Sequence, residues 1–273
     1  MEENLWEACF DGKVEEAQRL LQNEQININW QDYFGATPFH SACYNGHTEI
    51  VKLLLNDERI DINKANEHGS TPFHHVCEKG HLEIVKLLLN DQRIDLNKSM
   101  DSGFTPFYIA CQKGYIDIVE YLLVCGREID FNKADNDGAT PFHTSCKKGY
   151  LEIVKLLLND KRVDIKKATN NGYISFHRAC YNGHIEIVKL LLNDERVNVN
   201  RTENGGETSF YIACEKGHIE IMKLLLNDKR ISIRKKTNKR KTAFDIAKTN
   251  NHLEIMDLIK EVDTGNLSRD YSL

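Results

Sequence analysis

The chain has 273 residues, of which 41% are hydrophobic and 28% charged, and its formal net charge is −5. This is the balance of an ordinary folded chain, and so mild a charge singles out no class of partner. No stretch approaches the ~18–20 apolar residues that cross a bilayer, and the acidic start Met1-Glu2-Glu3 excludes the basic opening of a secretory signal. A cytoplasmic or nuclear chain with reduced thiols is expected, with no membrane contact.

Along the chain, Cys9, Cys43, Cys77 and Cys111, then Cys146, Cys180 and Cys214, recur every 34 residues, with a single step of 35. A fixed period of this length means stacked copies of one supersecondary unit, an all-α solenoid. The first copy is shortened, with Ala8, Cys9 and Gly12 in register. In the second, Thr37 caps a helix whose first position is Pro38, and Phe39, Ala42 and Cys43 form its buried stripe. Gly46 closes that helix in the left-handed conformation. A second helix follows, with Glu49 in its positive first turn and Ile50, Val51, Leu53, Leu54 and Leu55 facing inward. Asn56 is expected to make a left-handed exit. Arg59 to Asn63 then alternates polar and apolar residues, as an extended hairpin arm does. Further copies open at Gly69, Gly103, Gly138, Gly172 and Gly206, and an edited one near Arg240. The expected units are 1–34, 35–68, 69–102, 103–137, 138–171, 172–205, 206–239 and 240–263, with the first and last as caps and 264–273 as a frayed tail. The fourth unit carries an extra loop residue at Cys125-Gly126, which produces the 35-residue step.

The motif Gly-x-Thr-Pro-Phe-His-x-Ala-Cys-x-x-Gly-His-x-Glu-Ile-Val-Lys-Leu-Leu-Leu resembles the ankyrin repeat over residues 1–263. Two departures are Phe in place of the family's Leu after Thr-Pro, and an extra residue after the second helix at Asn56-Asp57. The resemblance implies a stack of helix-turn-helix units with hairpin loops. It also implies a non-enzymatic module that binds protein partners in its groove without a cofactor. A monomer is expected.

Several residues suggest chemistry that their repetition discounts. His40-x-x-Cys43, His74-x-x-Cys77, His143-x-x-Cys146 and His177-x-x-Cys180 pair two zinc-ligand types on one helix. A zinc site needs four ligands around one ion, and the next pair lies a full repeat away. In ankyrin-like proteins this histidine is a structural hydrogen-bonding residue. His47-x-Glu49 and its copies echo a deaminase motif but have no Pro-Cys-x-x-Cys partner. Neighbouring cysteines one helix spacing apart (~8–10 Å) are too distant for disulfides and read as a buried ladder.

The positions that vary between copies are the informative ones for binding. Ser41, Tyr44 and Asn45 lie opposite the buried stripe by helical phase. Among their counterparts are Gln112, Lys113, Lys147, Lys148, Arg178 and Tyr181. Tyr33, Phe34, Phe104 and Tyr173 vary at the loop tips. Charged entries read as ordinary solvated surface, whereas aromatics in such a row read as a contact surface. Separately, Lys229, Arg230, Arg234, Lys235, Lys236, Lys239, Arg240 and Lys241 put eight positive charges in thirteen residues. They read as a solvated basic loop, or as an import signal or dock for an acidic protein or nucleic acid. Nucleic acid is not the expected partner, and if present would contact 229–241, without base stacking for want of interleaved aromatics. Finally, the Thr-Pro start at Pro38, Pro72, Pro106 and Pro141 becomes Ser175, Ser209 and Ala243, which predicts a C-terminal third that opens more readily.

Overall fold

The computed structural model describes residues 1–264. The expected tail, 264–273, therefore lies outside the described residues except for Thr264. Packing divides the chain into two compact units, Met1–Asn136 and Asp137 onward. The first holds α1 (Glu2–Asp11), α2 (Val14–Leu21), α3 (Pro38–Asn45), α4 (Thr48–Leu55), α5 (Pro72–Lys79), α6 (Leu82–Asn90), α7 (Pro106–Lys113) and α8 (Ile116–Val124). The second holds α9 (Pro141–Lys148), α10 (Leu151–Asn159), α11 (Ser175–Asn182), α12 (Ile185–Leu192), α13 (Ser209–Lys216), α14 (Ile219–Asn227), α15 (Ala243–Thr249) and α16 (Leu253–Asp263). Within each unit the first helices of successive pairs pack in one row and the second helices in another. This is the architecture of an all-α repeat solenoid.

The local causes are visible in each pair. Thr37, Thr71, Thr105 and Thr140 adopt extended N-cap geometry ahead of a proline at the first helical position. Glycine with φ near +80° closes each of these helices, for example Gly46 at 78°. Helices this short are marginal alone, so packing must hold them. Phe39, Phe73, Phe107, Phe142, Phe176 and Phe210 are almost fully buried, as are the cysteine of each stripe and the alanine before it, replaced by Val76 and Ser145 in two copies. Truncating one such phenylalanine in a packed core costs on the order of 3–5 kcal/mol.

Three expectations are revised. Asn56 has φ −76°, so the second helix ends right-handed and an ordinary turn carries the chain out. Leu53 and Leu55 are half-exposed, leaving Ile50, Val51 and Leu54 as the buried face of α4. The arms bury Ile60 and Ile62 as their alternation implies, but as successive turns. Among the described residues the recorded bridge is a single pair, Thr202 with Thr208.

Arms and helix ends are stitched from one repeat to the next by side chains. Asn29 accepts from the Asp61 N–H at 2.8 Å and donates to the Arg59 carbonyl at 2.8 Å. Asn63 and Asn97 do the same one and two repeats later. Arg59 pairs with Asp57 at 2.6 Å and donates to the Leu21 carbonyl at 3.2 Å, satisfying an orphan acceptor at the end of α2. Arg93, Arg196 and Arg230 repeat that reach to Leu55, Leu158 and Leu192. In the fourth pair Cys125 stands where the other pairs have the partner aspartate, and the extra residue follows Arg127. Arg127, still in phase with Arg93, nonetheless donates to the Leu89 carbonyl at 2.7 Å.

Candidate functional site

Both histidine rows serve as connectors between repeats. His40 Nδ1 accepts from the Thr37 N–H at 3.0 Å, so its proton resides on Nε2, which donates to the Ser70 carbonyl at 3.0 Å. His74, His143 and His177 repeat the arrangement toward Phe104, Tyr173 and Arg201. Burial pushes His40, His74 and His177 down to about 4, so these rings are neutral. The second row lies at the other end of the first helices. His47, His81, His184, His218 and His252 each donate from Nε2 to a carbonyl of the preceding repeat, at 2.9–3.1 Å. Their rings lie so close to the preceding repeat's glycine that a Cβ on Gly46 would meet His81 at 2.7 Å. The seven periodic cysteines are buried thiols, and burial raises Cys9 to about 12 and Cys43, Cys77, Cys146, Cys180 and Cys214 further still. Each side chain that suggested metal chemistry thus already has a packing or hydrogen-bonding role.

The first-helix row and the loop tips enclose a groove in the N-terminal unit. Trp6 and Phe10 of α1, Ser41 and Tyr44 of α3, His75 of α5, and the tip residues Asp32 and Phe34 line a cavity of about 190 Å³. Tyr33 is 86% exposed, Phe34 61%, Phe10 46% and Tyr44 41%. Trp6 stacks on Phe10 at 5.2 Å, and Tyr33 meets Phe34 edge-on at 5.3 Å. The Trp6 indole N–H is buried there without an acceptor. Lys79 holds its ammonium 4.0 Å from the centre of the Tyr44 ring. Further along this unit, Phe104 is half-buried and stacks on Tyr108 at 4.5 Å. Gln112 is half-buried, and Lys113 pairs with Glu78 at 2.9 Å. His75 and Lys113 hold the Glu78 carboxyl down at about 2.

In the C-terminal unit Lys147 and Lys148 are exposed at the end of α9. Tyr173 is half-buried with the Arg178 guanidinium 4.3 Å over its ring. Tyr181, 42% exposed, has Lys216 at 4.3 Å over its ring. The basic arm divides by role. Arg230 is committed to Asp228 and the Leu192 carbonyl, Arg234 to Asp263 at 3.0 Å, and Lys235 to the Asn200 carbonyl at 2.9 Å. Lys229 is exposed. So are Lys236, Lys239, Arg240 and Lys241, which cluster around the last turn tip. A second cavity, about 370 Å³ and mostly apolar, lies under α11 among Phe142, Ser175, Phe176 and Val197.

The variable column led by Ser41 does not face solvent throughout. Ser41, Ile109, Thr144 and Ile212 are buried, because the neighbouring first helices close over that position. Trp6, Phe10 and Asp32 belong to the N-terminal groove, although motif reading did not select them. Phe10 stands 34 residues before Tyr44, so the repeat phase itself could have identified it.

Family models agree with this geometry. One described as ankyrin repeats (3 copies) matches residues 58–135, 123–203 and 176–267, and another, ankyrin repeats (many copies), matches 5–55. No curated protein shows a match to the chain. With capped first helices, glycine closures and inter-repeat connectors recurring in phase through residues that those models cover, the chain belongs to the ankyrin repeat family.

Proposed function

We propose that this chain is a non-enzymatic scaffold that holds partner proteins against its first-helix rows and loop tips. Ankyrin repeats are generally protein–protein interaction modules. The observation that carries the reading is the division of labour among residues. Those that recur are buried, hydrogen-bonded to a neighbouring repeat or, like Glu49 and Lys52, paired within their own helix, while several that vary are exposed aromatics. Exposed tyrosine and phenylalanine at 41–86% are enriched at contact surfaces and act as anchors there. Because the rows are held by packing before any partner arrives, little ordering entropy is lost on binding.

The test is partner recovery from cell extract by the parent chain and by a Tyr33, Phe34, Tyr44 and Tyr181 quadruple alanine variant. Recovery should fall severalfold while thermal unfolding shifts little. Unchanged recovery would remove this surface.

A second reading rests on Lys236, Lys239, Arg240 and Lys241, exposed together at the last tip. That cluster suits an acidic protein or a phosphate backbone. Binding to it would weaken steeply with salt and disappear when those four residues are neutralised. Salt-insensitive binding would exclude it.

A further inference from the structure

Three tyrosines next to the first-helix rows share one arrangement. Tyr44, Tyr173 and Tyr181 each have a cation of this same chain over the ring, Lys79 at 4.0 Å, Arg178 at 4.3 Å and Lys216 at 4.3 Å. The quadrupole of an aromatic face draws a cation, and Lys79 and Lys216 come from the following repeat. At the N-terminal end the aromatics are denser but the pattern breaks. Among the described residues, no lysine or arginine lies over Trp6, Phe10 or Phe34, although Phe10 and Phe34 are 46% and 61% exposed.

Carboxylates lie beside those rings, while among the described residues the one cation over the cavity's wall, Lys79, sits on Tyr44. Asp32 lines the same cavity, and its Oδ1 accepts from the Phe34 and Ala36 N–H groups at 2.9 and 2.7 Å. Its Oδ2 takes no recorded bond and is left for a ligand. Glu3 and Glu7 are exposed and share the Phe10 face of α1 by i, i+4 and i, i+3 spacing. Because the aromatic walls are apolar, a guanidinium or ammonium entering there is partly desolvated, which strengthens both its ring contact and its pairing with the carboxylate.

We infer that the groove between α1, α3 and the first loop tip is a pocket for a basic side chain, arginine or lysine, presented by an extended segment of a partner protein. This rests on the interaction-module reading and assigns one end of that surface a chemistry. Phe10 and Phe34 supply ring faces, Asp32 supplies the counter-charge, and the Glu3–Glu7 edge of α1 attracts flanking positive charge.

The experiment uses the purified full chain and short labelled peptides with a central arginine, lysine, leucine or glutamate between apolar neighbours. Fluorescence polarisation reads affinity, and the Trp6 indole resonance, assigned with Trp6→Phe, reads location. Arginine and lysine peptides should bind and shift that resonance. Phe10→Ala combined with Phe34→Ala should weaken them about tenfold, as loss of two ring contacts implies. Asp32→Asn keeps the turn's acceptor but should weaken binding and flatten its salt dependence. Leu253→Ala, at an exposed position of α16 in the other unit, should leave peptide affinity unchanged. Equal or tighter binding of the leucine or glutamate peptide overturns the assignment, as does failure of every basic peptide to bind. Self-association that vanishes when Lys236, Lys239, Arg240 and Lys241 are replaced by alanine would give the pocket to a second copy and overturn the foreign partner. None of these outcomes bears on partner recovery by the rest of the surface, so the broader reading stands or falls separately.

Discussion

Arg240 stands where each preceding repeat has a glycine, and it keeps that glycine's left-handed backbone at φ 57°. At Gly206 an added Cβ would meet the next tip's Asn238 N at 2.7 Å, so steric exclusion alone demands glycine there. Among the described residues no further tip packs against Arg240, which leaves only the left-handed penalty of about 1 kcal/mol. Part of that is offset because glycine is freer in the unfolded chain. Arg240→Gly should therefore stabilise the protein by about 0.5 kcal/mol, read as a raised urea midpoint. A lowered midpoint would mean that the arginine side chain makes a stabilising contact.

Asn251 fills the last helix-closing glycine position in the same way, at φ 58°.

The buried histidines make a second residue-scale prediction. Burial holds His40, His74 and His177 at about 4, below the value near 6.5 of an exposed imidazole. Between those values the unfolded chain takes up protons that the folded chain refuses. Their stabilisation is thus complete above about pH 6.5 and is lost as pH falls toward about 4, by up to roughly 3 kcal/mol each. Urea midpoints from pH 7 downward should decline well before carboxylates titrate. His177→Gln should make that decline shallower. An identical slope in the variant would place the pH sensitivity elsewhere.

At the scale of the element, the start of α11 is weaker than those of α3, α5, α7 and α9. Ile174 offers no oxygen to the first turn, so only the reciprocal half of the cap survives, His177 Nδ1 accepting from the Ile174 N–H at 3.0 Å. Ser175 replaces the proline, and its buried hydroxyl faces only the Cys146 sulfur, a weak partner. Ile174 is already extended (φ −97°, ψ 166°), as a residue before proline must be. The cavity beside Ser175 leaves room for a ring. Ser175→Pro is therefore expected to stabilise by about 0.4–1 kcal/mol, seen as a higher thermal midpoint. A drop would show that the ring clashes with the Phe142 or Phe176 side chains.

What was legible at this scale was whatever one residue type decides by its own conformation. Thr37-Pro38 marks a helix start and Gly46 a helix end because capping oxygen, fixed φ and missing Cβ act locally. Less legible was anything set by the neighbouring repeat. Asn56 carries a left-handed signal, yet the Asp57–Arg59 turn beneath α2 dictates a right-handed exit. Ser41 looks exposed on a lone helix and is buried once α1 and α5 flank it. For the candidate site, repeat phase exposed the variable aromatics. It did not reveal that Lys79, Arg178 and Lys216 already cover three of them, since the distances to Tyr44 and Tyr181 depend on how successive repeats pack and that to Tyr173 on how its tip folds against α11.

At the scale of the whole chain, repeats contact only their neighbours within a unit, so stability adds from local contributions and need not be even. The pairs α3 with α4 through α9 with α10 each begin on Thr-Pro. From α11 onward no pair does, and Ser209 repeats the buried hydroxyl of Ser175, facing the Cys180 sulfur. Each missing proline is worth about 0.4–1 kcal/mol, or roughly two- to fivefold in a local opening constant. Amide hydrogens of α11, α13 and α15 should therefore exchange several times faster than their counterparts in α3, α5, α7 and α9 under native conditions. Ser175→Pro should slow exchange in α11 and, through nearest-neighbour packing, in α13. The exposed lysines around Arg240 lie in the region expected to open more readily, where a bound polyanion would repress opening as well as pair charge. Even protection from α3 to α15 would mean that packing, not the helix start, limits opening, and the gradient would then have no basis.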